Sequence, residues 1–166
     1  GAMVQMVSHG FISAALFACI GVLYDRVHSR EIADYGGVIN TMPWFGGFMV
    51  LFAMANSGLP GTSGFVGEFM VILAAFKYSW WVAMLAALTL IFGAAYTLWL
   101  VKRVIFGAVA NEQVAKLKDL SLREAAVLGT LAFFTLGLGI YPKPLTDVMQ
   151  PAVQKMVLHL NQTKTL

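Results

Sequence analysis

Ser57-Gly58-Leu59-Pro60-Gly61-Thr62-Ser63-Gly64-Phe65-Val66-Gly67-Glu68 breaks a long apolar stretch and sets a lone carboxylate just beyond the break. Between Asp34 and Lys77 lie 42 residues, and Glu68 is the one acidic or basic side chain among them. Such a group costs roughly 2.5–3.5 kcal/mol or more at the centre of a bilayer, so it is a functional-site candidate by default. The Gly58-Leu59-Pro60-Gly61 run beside it is a helix breaker. Irregular backbone at membrane depth survives only where protein or a water-filled cavity covers the freed amides and carbonyls. Together the two features point to an ion path rather than a lipid-facing position. The plain alternative is a carboxylate hydrogen-bonded for structure inside a bundle.

Composition identifies the solvent. At 59% hydrophobic and 11% charged, with mean hydropathy +0.77, the 166 residues lack the charge to cover a water-soluble surface. The fold class expected is all-α, a polytopic transmembrane helix bundle. The windows 1–24, 35–76, 78–101 and 125–142 can each cross a hydrocarbon core that needs about 20 apolar residues. The second window is too long for one straight span. It reads as a helix from about Trp44, a break near 58–63, and a second half-helix to about Phe76. Four crossings follow, at about 2–24, 44–76, 79–103 and 122–142, within a bundle of residues 1–148. Val148, Ala152, Val153, Met156 and Leu160 mark residues 149–166 as an amphipathic tail with Pro151 near its start. Cys19 stands among Phe17, Ala18 and Ile20, where packing is the default role.

Loop charges suggest an orientation. If four spans alternate, one side carries Arg26, Arg30, Lys102, Arg103, Lys116, Lys118 and Arg123, and the other Lys77, Lys143, Lys155 and Lys164. Excess Lys and Arg mark the cytoplasmic side, which puts the C-terminus outside and Glu68 toward the outer half of the membrane. The net charge of +3 is spread over these loops, and no nucleic-acid partner is expected.

Other polar groups fall inside the spans. Gln5, His9 and Ser13 recur at i, i+4 and i+8, a stripe that serves either as hydrogen-bonding glue between helices or as part of a proton wire. Thr89, Gly93, Tyr96 and Thr97 make a weaker face, read as helix packing. Thr62 or Ser63 is placed to cap the second half-helix, and Gly61, Gly64, Glu68 and Ile72 share one of its faces, small residues that invite a neighbouring helix. A carboxyl group facing protein there can take up and release protons without metal or organic cofactor. No Cys/His cluster, phosphate-binding glycine loop or haem-ligand pair is read in the chain.

Met6-Val7-Ser8-His9-Gly10, Leu23-Tyr24-Asp25-Arg26-Val27-His28-Ser29-Arg30-Glu31-Ile32, Gly36-Gly37, Pro43 and the whole run Ser57 to Phe69 carry a resemblance. They resemble subunit M of proton-pumping NADH:quinone oxidoreductase, respiratory complex I, whose mitochondrial counterpart is NADH dehydrogenase chain 4. The likeness extends over essentially the whole chain, as the C-terminal third of that subunit. Sister subunits and the large subunits of Na⁺/H⁺ antiporters share the fold but typically carry lysine where Glu68 stands, so the glutamate favours subunit M.

The resemblance implies a proton-translocating membrane-arm subunit without redox chemistry of its own. It assigns Glu68 to the broken helix of the output half-channel and His9 to the hydrated polar axis along the membrane arm. His28 falls in the turn after the first span, where a structural role is expected. NADH, FMN, iron-sulfur clusters and quinone are expected on other subunits, with none in this chain. The partners implied are other membrane-arm subunits, the lipid bilayer and protons, in a bacterial inner membrane. The input half-channel's glutamate and lysines lie on earlier helices in the family, so this chain by itself is not expected to pump. A cation/H⁺ antiporter or membrane-bound hydrogenase subunit of the same fold, or a purely structural membrane-arm segment, is the alternative.

Overall fold

The first apolar window forms α1, Ala2–Val27, 26 residues that reach about 39 Å at about 1.5 Å per residue. It stops three residues past the expected end, at His28, which takes the left-handed conformation (φ 57°) and returns its amide to the Tyr24 carbonyl. The computed structural model describes residues 1–163. Among them the remaining helices are α2 Pro43–Asn56, α3 Ser63–Tyr78, α4 Trp80–Val104, the one-turn α5 Glu112–Ala115, α6 Leu122–Ile140 and α7 Lys143–Thr163. Short 3-10 turns at Ile32–Asp34 and Val38–Asn40 lie between α1 and α2, and no strand occurs among the described residues.

Each helix boundary has a local cause. Proline at the first position starts α2, whose amides at Trp44 and Phe45 donate to the Asp119 carboxylate at 2.9 and 3.1 Å. The turn Gly58 to Thr62 stops α2 and releases α3. At α6 Ser121 and Glu124 form a capping box. Pro142 cannot continue α6, and α7 begins directly after it at Lys143. The amphipathic stretch expected from 149 is therefore continuous with the residues before it, in one helix that also contains Pro151. Its last three positions, 164–166, lie outside the described residues. Val148, Met156 and Leu158 on α7 are exposed.

α1, α4 and α6 are each long and apolar enough to cross a bilayer. Residues 32–40 taken with α2 also reach that length, but the pair bends by 113°. A bend that sharp lays 32–40 across the end of α2, where they add nothing to its reach along the bundle. α3 supplies the missing half. Gly1 lies against Met70 and Val71, Gln5 against Gly67, and Ile12 against Gly64, while Arg26 at the other end reaches the Asp119 segment that holds the start of α2. Thus α2 and α3 together run antiparallel to the full length of α1, as one broken span. α4 and α6 pack against this pair, so the broken α2–α3 unit stands beside three helices of membrane-crossing length.

The densest packing is at the end where α1 and α4 finish and α2 and α6 begin. Phe45, Phe52, Met42, Met49, Ile105 and Leu128 are fully buried there with Ala15 and Cys19. Backbone bonds lace the two loops together, Gly37 amide to Phe106 carbonyl at 3.2 Å and Ile39 amide to Ile105 carbonyl at 3.0 Å. Gly37 has φ 65°, and a Cβ there would stand 2.6 Å from the Ala108 carbonyl oxygen, so only glycine admits this crossing. Arg26 fastens the same end. Its guanidinium donates to both Glu124 oxygens at 2.8 Å and to the carbonyls of Val22, Lys118 and Asp119.

Candidate functional site

Glu68 sits on the second turn of α3, and its side chain folds back over the break. A Cβ on Gly58 would lie 2.6 Å from Glu68 Oε2, and Gly58 itself has φ 75°. The break therefore does two things: it turns the chain through a left-handed residue, and it leaves room for a carboxylate above that residue. Gln5 on α1 donates from Nε2 to Glu68 Oε1 at 3.4 Å. Oε2 is buried and accepts no hydrogen bond among the described residues, and no cation pairs with the carboxylate among them. A cleft of about 340 Å³ opens beside the pair, walled by Val71, Ile72, Ala86, Thr89 and Leu90.

Glycines bring α1 this close. Gly64 and Gly67 face it, with the Ile12 side chain over the first and the backbone of Gln5 over the second. The face expected from sequence is shifted: the Gly61 carbonyl lies against Gly139 of α6, and Gly67 takes its place against α1. Neither hydroxyl caps α3 as expected. Thr62 occupies the cap position in extended conformation, but its hydroxyl donates to the Leu59 carbonyl at 2.7 Å and so closes the turn of the break instead.

The stripe Gln5, His9, Ser13 divides. Gln5 turns to Glu68, while His9 Nε2 and the Ser13 hydroxyl bond each other at 2.9 Å on an exposed flank of α1. The structure does not join His9 to Glu68 directly. The face on α4 also divides: Thr97 is buried and takes a bond from Asn56 Nδ2 at 3.3 Å, whereas Gly93 has nothing near it and Tyr96 is exposed. His28 meets Tyr24 edge-on at 5.9 Å between ring centres.

Sequence reading overlooked the hydroxyls of Ser8 and Thr135, and expected Ser63 only as a cap; all three are fully buried and without a partner among the described residues. Ser8 stands one helical turn from Gln5, a spacing that was visible, but nothing in the sequence said that it would be buried. The Asn56–Thr97 bond and the Arg26–Glu124 pair link residues 41 and 98 positions apart, beyond any local pattern. Among the described residues no group of three His, Cys, Asp or Glu side chains gathers as a metal site.

Comparison with known proteins bears on this arrangement. A family described as NADH:quinone oxidoreductase/Mrp antiporter, transmembrane, matches residues 1–93. NADH-quinone oxidoreductase subunit M of Rhodobacter capsulatus is 51% identical over 157 residues, covering 95% of this chain and 31% of that protein. NADH-ubiquinone oxidoreductase chain 4 of Marchantia polymorpha is 42% identical over 159 residues, 96% of this chain and 32% of its own length. In a solved structure of respiratory complex I from Thermus thermophilus with bound NADH, one chain superposes with TM-score 0.82 at 31% identity, over 89% of this chain and 31% of that one. The chain spans about a third of the length of the relatives it matches.

Proposed function

The chain belongs to the NADH:quinone oxidoreductase/Mrp antiporter transmembrane family, and from that membership we propose that it serves as the output half-channel of a proton-translocating membrane-arm subunit of NADH:quinone oxidoreductase. Glu68 is the proton-carrying group. The observation that carries this reading is its placement: a carboxyl group half held by Gln5, folded over a helix break, with its second oxygen buried and unpartnered beside a cleft. A carboxylate kept for structure satisfies both oxygens. One oxygen left open suits a group that gains and loses a proton.

His9 with Ser13 forms a second element of the path, on a flank of α1 exposed in this chain. Imidazole and hydroxyl both donate and accept, as a relay requires. NADH, FMN, iron-sulfur clusters and quinone belong to partner subunits, and the chain itself contributes position and proton affinity. The seven cations Arg26, Arg30, Lys102, Arg103, Lys116, Lys118 and Arg123 assign the laced-loop end to the cytoplasm. Glu68 then lies toward the outer side of a bacterial inner membrane, as an exit group should, and the C-terminus is outside. The relatives named subunit M favour this reading over an antiporter or hydrogenase subunit.

The test is proton pumping by vesicles that contain the complete complex with Glu68→Gln. Loss of pumping with normal subunit content supports the reading. Pumping at the wild-type rate leaves Glu68 a structural residue.

A further inference from the structure

Gln5 is the only described side chain that bonds to Glu68, and the fold goes to some length to bring it there. A Cβ at position 67 would stand 2.7 Å from Gln5 Cα and 2.8 Å from its amide nitrogen, so the glycine lets the α1 backbone itself close on α3. The close approach carries the Gln5 amide over the carboxyl group. One Gln5 N–H donates to Glu68 Oε1. That leaves two oxygens, Gln5 Oε1 and Glu68 Oε2, both buried and both without a donor among the described residues.

The two oxygens lie against different neighbours: a Cβ at position 67 would clash with Gln5 Oε1 in the α1–α3 seam, whereas Glu68 Oε2 lies over Gly58. The cleft beside the pair offers Glu68 no other polar partner. Its other walls are Val71, Ile72, Ala86 and Leu90, and the Thr89 hydroxyl is turned away to donate to the Ala86 carbonyl at 2.6 Å. At about 340 Å³ the cleft has room for several waters.

We propose that Gln5 is a positioning residue for Glu68: its N–H fixes Oε1 and thereby holds Oε2 in place as the oxygen that gains and loses the proton. The proton balance is simple. A hydronium ion that reaches Oε2 gives it one proton and leaves as water; release is the reverse, with Oε2 returning its proton to a water. Gln5 itself neither gains nor loses a proton. This inference rests on the proton-carrying reading of Glu68.

The experiment uses the assembled complex and two readouts, proton pumping and infrared difference spectroscopy of protonated carboxyl groups. The carboxyl band that vanishes in Glu68→Gln identifies Glu68. Gln5→Met keeps the length and bulk of the side chain and removes both amide groups. Pumping should fall about tenfold, the scale of one lost hydrogen bond of ordinary strength in the reacting state. The Glu68 band should shift in frequency, because carboxyl stretching follows hydrogen bonding and a merely structural change leaves it in place. Gln5→Asn, which retracts the amide by one methylene, should shift the band the same way and provides the measurement if the Met variant does not assemble. If Glu68→Gln abolishes pumping while both Gln5 variants leave the band unmoved and pumping intact, Gln5 has no positioning role and the reading of Glu68 stands. If Glu68→Gln pumps normally, the proton-carrying reading itself is lost.

Discussion

Glu68 Oε2 rests directly over Gly58, ten residues earlier on the far side of the helix break, so close that a methyl group at position 58 would stand 2.6 Å from it. The break and the carboxylate are thus one unit. A substitution at either position is felt at the other, and the pair allows the backbone and the chemistry to be tested separately.

Gly58→Ala introduces a Cβ at φ 75° and against the carboxylate. The left-handed backbone alone costs about 1–2 kcal/mol. The clash should add to this and push Glu68 out of its place over the break, so pumping should fall more than subunit content does. Combining Gly58→Ala with Glu68→Asp, which withdraws the carboxylate, should cost less in thermal stability than the sum of the two single changes. Additive losses in thermal denaturation of the assembled complex would show that the two groups do not touch.

At Glu68 the order of pumping coupled to quinone reduction should be wild type, then Asp, then Gln. Aspartate keeps a titrating group one methylene short of the Gln5 amide, whereas glutamine keeps shape and hydrogen bonding but carries no exchangeable acid. Proton uptake by a pH-sensitive dye in sealed vesicles gives the ranking, with immunoblots of subunit content as control. A Gln variant at or above the Asp rate would reverse the assignment.

For His9, the Gln variant keeps a bond to Ser13 but cannot titrate, and the Ala variant loses both. A relay predicts that both lower pumping to a similar degree with assembly near normal. A hydrogen-bonding role predicts full pumping in His9→Gln alone. Exposure of His9 in this chain means that neither change should unpack the bundle.

Arg26 and Glu124 join the ends of α1 and α6 through two 2.8 Å bonds at partly buried positions. Glu124→Gln should lower thermal stability by about 1–3 kcal/mol, since it weakens bonds made to a charged partner. Arg26→Met should cost at least as much, because the carbonyls of Lys118 and Asp119 lose their donor too. Thermal unfolding of the purified complex followed by loss of this subunit measures both. Equal stability of the single variants and wild type would mark the pair as an ordinary surface bridge.

Single cysteines at Ala115 and Ala152, in exposed segments at opposite ends of the bundle, test the orientation. With Cys19 buried, background labelling is low. A membrane-impermeant thiol reagent should reach Ala115→Cys only from the cytoplasm and Ala152→Cys only from outside. The reversed pattern would move Glu68 to the entry side.

Much of the fold could be read from the chain because membrane helices announce themselves by length, apolarity and breakers. Gly58, Pro60 and Gly61 told where the second span divides, whereas the capping box of Ser121 and Glu124 at the start of α6 went unread. Glu68 was conspicuous by being alone. What surrounds it was less legible, because hydrogen bonds across the bundle have no spacing in sequence. Gln5 looked like a neighbour of His9 by helical period, yet the few tens of degrees between them around α1 turn one to Glu68 and the other outward. Thr62 had the chemistry of a cap, but its hydroxyl bonds the carbonyl of Leu59 and makes no bond to the amides of α3.

The broken span is unequally fixed along its length. α2 is bound at its start by Asp119, walled by the buried aromatic cluster and flanked by laced loops, whereas α3 buries only Ser63, Gly64 and Gly67 along its sixteen residues. Amide protons should therefore exchange slowly in α2 and much faster in α3, with the change in rate falling at Gly58. The carboxylate rides on the less buried half of the span, and Gly58 closes the more buried one. Motion that accompanies a change of charge at Glu68 is therefore expected on the α3 side of the break rather than at the laced-loop end.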